Sequence, residues 1–77
     1  MTQATATIGL PTLQKGSAGD AVRIVQRLLN FQGFTTTVDG EFGPKTEAQV
    51  KAFQKARKLK EDGIVGPKTW RELSELS

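Results

Sequence analysis

Two carboxylates stand in the same phrase: Asp39 in "DGEFGPKT" (39–46) and Asp62 in "DGIVGPKT" (62–69). A pair of acids can serve as general acid and base if a cleft holds them at a suitable separation and shifts one pKa. Their setting points to a different job. Six of the eight positions are identical, the fourth is apolar in both (Phe42, Val65), and the copies start 23 residues apart. Identical contexts imply identical roles, and Asp-Gly in a turn has a structural one. The carboxylate accepts backbone N–H groups while the glycine takes positive φ at no steric cost. Glu41 beside Asp39 is answered by Ile64, so no acidic mechanism is duplicated. The chain has no His, Cys or Tyr, and Ser17, Ser74 and Ser77 therefore lack an imidazole partner. Thiolate and imidazole metal ligands are absent as well. No catalytic residue, metal site or cofactor is expected.

What remains is binding chemistry. Arg23, Arg27 and Lys51 can pair with carboxylates, Arg bidentately, although each taken singly reads as part of a solvated helix face. Trp70 is the only Trp. It offers a stacking surface, yet its helical spacing with Leu73 places it mainly in the core. Phe42 and Val65 read as core plugs of their loops. Gln26 and Gln54 each follow an apolar residue on a helix. An amide there can bond the backbone of a nearby loop and satisfy groups that water does not reach, or it can touch a ligand directly. The net charge of +3, from 11 basic and 8 acidic residues, fits an ordinary surface or an anionic polymer as partner.

These residues need elements to hold them. "AVRIVQRLLNF" (21–31) repeats apolar positions at helical spacing, with Asp20 placed to cap the exposed amides and Gly33 to stop the helix. "TTTVDG" reads as an extended connector ending in a turn. Pro44 and Pro67 each open a helix, because proline at the first helical position gives up an N–H that has no partner there. In each repeat the apolar residue plugs the loop into the core, and the second glycine (Gly43, Gly66) permits a tight entry. The spacing of Thr46, Val50 and Phe53, and of Trp70 with Leu73, gives the second and third helices an inward stripe. The fold expected is all-α: a compact three-helix bundle with two repeated Asp-Gly-x-apolar-Gly-Pro loop-helix units.

The 77 residues make one small domain, which buries only about 60% of its unfolded surface. Residues 1–10 read as a flexible N-terminal lead and 11–77 as the domain. No apolar run approaches the roughly 20 residues of a membrane helix, and the opening lacks the pattern of a secretory signal.

The residues at this point resemble a family. Leu13, Gly16, Gly19, Val22, Gln26 and Leu29 match the pattern of the small three-helix peptidoglycan-binding domain, an accessory domain of bacterial cell-wall hydrolases. The match runs on through Gly33, Phe34, "DGEFGPKT", Val50, Phe53, Gln54, Leu59, "DGIVGPKT", Trp70 and Leu73. Val25 stands where the family often has Leu, and Lys58 where it commonly has glycine. The resemblance implies a non-catalytic, monomeric module, often fused to a hydrolase, that binds peptidoglycan through its glycan strand or stem peptide. It also implies a location in the cell envelope, periplasm or exterior. The ligand contacts expected are Asp39, Gly40, Phe42, Gly43, Asp62, Gly63, Arg23, Arg27 and Trp70, around a shallow groove near the two loops. Gln26, Gln54, Pro44 and Pro67 are expected to be structural.

The competing reading is a three-helix nucleic-acid-binding or protein-interaction domain. A reading helix should carry clustered polar residues facing outward. "KAFQKARKLK" (51–60) is the only candidate, and Phe53 turns its best face inward. No nucleic-acid partner is expected.

Overall fold

A computed structural model describes residues 10–75. The lead expected over residues 1–10 therefore lies outside the described residues except for Leu10. Three helices follow: α1 (Asp20–Phe31), α2 (Pro44–Ala56) and α3 (Pro67–Ser74). No strand occurs among the described residues, so the fold is the all-α three-helix arrangement expected.

In α1 the buried residues are Val22, Val25, Gln26 and Leu29, which fall on one helical face. Its start differs from expectation. Gly19, not Asp20, is the N-cap, and no side chain caps the helix. Gly19 sits at φ 121°, a conformation that favours glycine, with its N–H given to Gly40 O at 2.9 Å. Asp20 instead lies inside the first turn, where it pairs with Arg23 at 3.0 Å. Its charge still faces the positive end of the helix dipole.

The first two helices end in the same hydrogen-bond pattern. Gly33, at φ 94°, donates to Asn30 O at 3.0 Å, and Phe34 N–H reaches Leu29 O at 2.7 Å. Lys58, at φ 60°, donates to Lys55 O at 3.1 Å, and Leu59 N–H reaches Gln54 O at 2.8 Å. Both are Schellman closures, which need a left-handed residue and normally use glycine for it. Helices α2 and α3 also start alike, on Pro44 and Pro67 after the N-caps Gly43 and Gly66. Those two glycines have extended backbones, and a Cβ added at either would meet open space. The tight entry expected of them is not what the structure shows.

The core joins Leu13, Val22, Val25, Leu29, Phe42, Val50, Phe53, Val65, Trp70 and Leu73. Phe34 packs edge-on against Phe53 at 5.5 Å between ring centroids, and the Arg57 guanidinium lies 5.0 Å from the Phe53 centroid. Arg57 also donates to Gln32 Oε1 at 2.6 Å, and its other branch reaches Glu72 Oε1 at 3.5 Å. The Gln32 amide then donates to Leu73 O and Glu75 O, which closes the end of α3.

Ahead of α1, one short segment touches both repeated loops. Leu13 and Val65 exchange backbone hydrogen bonds at 3.1 and 2.7 Å. Gly16 donates to Phe42 O, and Phe42 N–H returns a bond to Ser17 O, both at 2.9 Å. Five residue steps between Leu13 and Ala18 reach at most about 18 Å. The two loops are thus tied to neighbouring points of one strap.

Candidate functional site

Each repeated loop is organised around one buried glutamine. In the first, Gln26 Oε1 accepts the N–H groups of Asp39 and Gly40 at 3.1 and 2.9 Å. Its Nε2 lies 3.0 Å from Asp39 Oδ1, 3.0 Å from Glu41 O and 3.1 Å from Thr46 Oγ1. Two amide hydrogens thus serve three acceptors, so one of them is shared. In the second loop Gln54 repeats the arrangement. Its Oε1 accepts Gly63 N–H at 3.0 Å, and its Nε2 faces Asp62 Oδ1, Ile64 O and Thr69 Oγ1 at 3.0, 3.0 and 3.1 Å. Among the described residues, every buried side-chain nitrogen and oxygen has a partner. The two loops are held by the same set of bonds.

The aspartates complete these turns. Asp39 Oδ1 accepts Glu41 N–H at 2.9 Å, and Asp62 Oδ1 accepts Ile64 N–H at 2.9 Å. Those backbone bonds, then the glutamine amides, hold both carboxyls below their ordinary value of 3.8. Both acids are therefore ionised at neutral pH and poorly suited to donate a proton there. Gly40 and Gly63, at φ 78° and 73°, are buried under side chains. A Cβ would meet the Arg23 guanidinium at 3.2 Å at the first and Glu47 Cγ at 3.1 Å at the second.

Beside the loops lie two open cavities, of about 280 and 520 Å³. Every residue lining the smaller one (Thr36, Thr37, Asp39, Glu41, Gly43, Pro44, Lys45, Thr46) has its counterpart 23 positions on in the larger. The larger adds only Gln54 and Lys58. The duplicated phrase has built the same hollow twice.

The sequence candidates divide accordingly. Asp39 and Gly43 line the smaller cavity and Asp62 the larger. Arg23 packs over the first loop, whereas Arg27 is exposed on α1 and lines neither cavity. Phe42 and Trp70 have exposures of 2% and 3%, so their rings face the core and offer no stacking surface. The Trp70 ring N–H is spent on Pro11 O at 2.7 Å. Pro44 and Pro67 sit at the helix starts and also form cavity wall. Reading the sequence put Thr46 on the inward stripe of α2, where it is buried, but missed that it and Thr69, the last letters of the repeated phrase, share the buried amides. It also missed Lys60, Lys68 and Ile64 in the larger cavity. The repeat spacing itself was the available signal for them.

Three short helices presenting two matched loop hollows define a small binding module. The family model described as "Putative peptidoglycan binding domain" matches residues 18–73, and the chain belongs to that family. It is 49% identical over 69 residues to an uncharacterised protein of Kitasatospora aureofaciens, covering 87% of this chain and 58% of that one. It is 44% identical over 68 residues to the zinc D-Ala-D-Ala carboxypeptidase of Streptomyces albus G, covering 84% of this chain and 27% of the enzyme. Among solved structures, the Burkholderia AP3 phage endolysin superposes with a TM-score of 0.81 at 42% identity. That match covers 83% of this chain and 25% of the endolysin. The chain thus corresponds to part of each relative's length.

Proposed function

We propose that this chain is a non-catalytic module that holds an attached or partner protein against bacterial cell-wall peptidoglycan. The contact surface is the pair of shallow hollows beside the two repeated loops. Membership of the peptidoglycan-binding family over residues 18–73 carries this reading. Two relatives, a zinc D-Ala-D-Ala carboxypeptidase and a phage endolysin, fit a setting at the cell envelope or outside the cell. This chain matches only about a quarter of each of those two proteins. Here both loop carboxylates are committed to turns, and neither His nor Cys is present to replace them.

Peptidoglycan stems present carboxylates, amides and amines, and the hollows offer matching groups. Lys45 and Lys68 occupy equivalent places, as do Asp39 and Asp62. Open hollows of this kind bind weakly one at a time, and tethering to a second binding domain multiplies the effect. The reading is tested by titrating soluble peptidoglycan fragments into the isotope-labelled chain and following its amide NMR signals. Shifts centred on residues 39–46 and 62–69 are expected. Shifts confined to the outer face of α1, around Ile24, Arg27 and Phe31, would overturn the assignment to the loops.

A further inference from the structure

The two hollows share a blueprint but not a lining, and we propose that the larger is a carboxylate site. It takes the free C-terminal carboxylate of a short peptide with small aliphatic side chains. The inference rests on reading the chain as a peptidoglycan-binding module and says which chemistry the second hollow selects.

The charge differs first. The smaller hollow sets Lys45 against Asp39 and Glu41. The larger sets Lys58, Lys60 and Lys68 against Asp62 alone, whose Oδ1 is held in its turn just as Asp39 Oδ1 is in the first. With Arg23 beside Asp39 at the first loop and Glu47 and Lys51 beside Gly63 at the second, the lining lysines still make the second the more favourable for an anion.

Polarity differs in the same direction. Thr36 and Glu41 of the first hollow are replaced by Leu59 and Ile64, both half-buried. Together with Pro67 they give the second an aliphatic wall, and its volume is nearly twice as large. An apolar wall with cations along it suits a small aliphatic residue whose carboxylate stays at the mouth.

Lys58 supplies an independent argument. It is the only non-glycine residue at positive φ among those described, in the closure where α1 uses Gly33. A side chain with a Cβ is disfavoured there. Residues held in such conformations tend to have a local use. Here Lys58 is one of three lysines lining the larger hollow.

The test uses N-acetyl-alanyl-alanine, in all-L and all-D forms, against the same compound with its C-terminus amidated. Binding is read by amide NMR shifts of the full chain. The acid, in at least one of its two forms, should shift residues 58–69 but not 36–46, and the amide should bind about tenfold more weakly. Lys58→Gly keeps the helix closure and should weaken acid binding about two- to fivefold, as one exposed ion pair would. Adding Lys60→Gln and Lys68→Gln should bring the loss to about tenfold or more.

Equal binding of acid and amide, shifts in the first hollow, or no shift at millimolar peptide would each overturn the proposal. Retention of the chain on insoluble sacculi is measured alongside. If sacculi still hold the wild type while acid and amide behave alike, the carboxylate site fails and the wall-binding reading stands. If the acid binds as described but sacculi do not hold the chain, the wall-binding reading is what fails.

Discussion

Replacing Gln54 by methionine removes the hydrogen bonds this amide makes to the second loop while nearly preserving side-chain volume. Gln54 is 1% exposed, so water has little access to the groups it serves. The Gly63 N–H would be left buried without an acceptor, which costs about 1–3 kcal/mol. Loss of the donor to Ile64 O and Thr69 Oγ1 adds about 1 kcal/mol net, whereas exposed Asp62 recovers its bond from water. The expected loss is therefore about 3 kcal/mol, a large part of the roughly 5–15 kcal/mol that stabilises a domain. For this chain length it lowers Tm by roughly 12–24 °C. Urea unfolding followed by fluorescence of Trp70, the only Trp, measures the loss directly. Lys55→Met, on the exposed side of the same helix, serves as control and should change stability by less than about 0.5 kcal/mol. A Gln54→Met loss below about 1 kcal/mol, with an unchanged denaturant slope, would refute the idea that this amide organises the loop.

Lys58→Gly should stabilise the chain by about 0.5–1 kcal/mol in the same assay, since relief of the left-handed penalty exceeds the added chain entropy. Gly63→Ala should destabilise it by about 1–2 kcal/mol, because its φ of 73° is unfavourable for alanine and the new Cβ crowds Glu47 and Lys51 at 3.1 Å. Stability should fall as pH drops below the ordinary carboxyl value of 3.8. Asp39 and Asp62 hold protons more weakly folded than unfolded, so their contribution is complete above 3.8 and disappears as pH passes through the lower folded values. Acid unfolding of the double variant Asp39→Asn, Asp62→Asn should show a shallower dependence over that window.

Much of the fold is written locally. Pro44, Pro67, Gly33 and the apolar spacing of α1 act within a turn or two of where they stand, so the number and limits of the helices can be read along the chain. The start of α1 shows where local rules mislead. Asp20 has the right type for a cap, but Gly19 takes that place because a bond to Gly40 holds it there, and Gly40 is distant in sequence. The strap over residues 13–18 is similarly hidden. It has no alternating apolar pattern, and its pairing with both loops is a tertiary matter. At the site, the repeated phrase announces two equivalent loops without saying what each glutamine touches. The repeat marks Thr46 and Thr69 as equivalents, but their shared job shows only when residues 20 and 15 positions away from the glutamines are brought to 3.1 Å. The contrast between the hollows depends on Ile64 within the phrase and on Lys58, Leu59 and Lys60 outside it, where α2 closes.

The most direct test of the central claim is sedimentation of the purified, folded chain with insoluble bacterial sacculi, with chitin and DNA-cellulose as parallel supports. Retention on sacculi alone is the predicted result. A folded chain that stays in the supernatant with sacculi, or that binds all three supports alike, would contradict it.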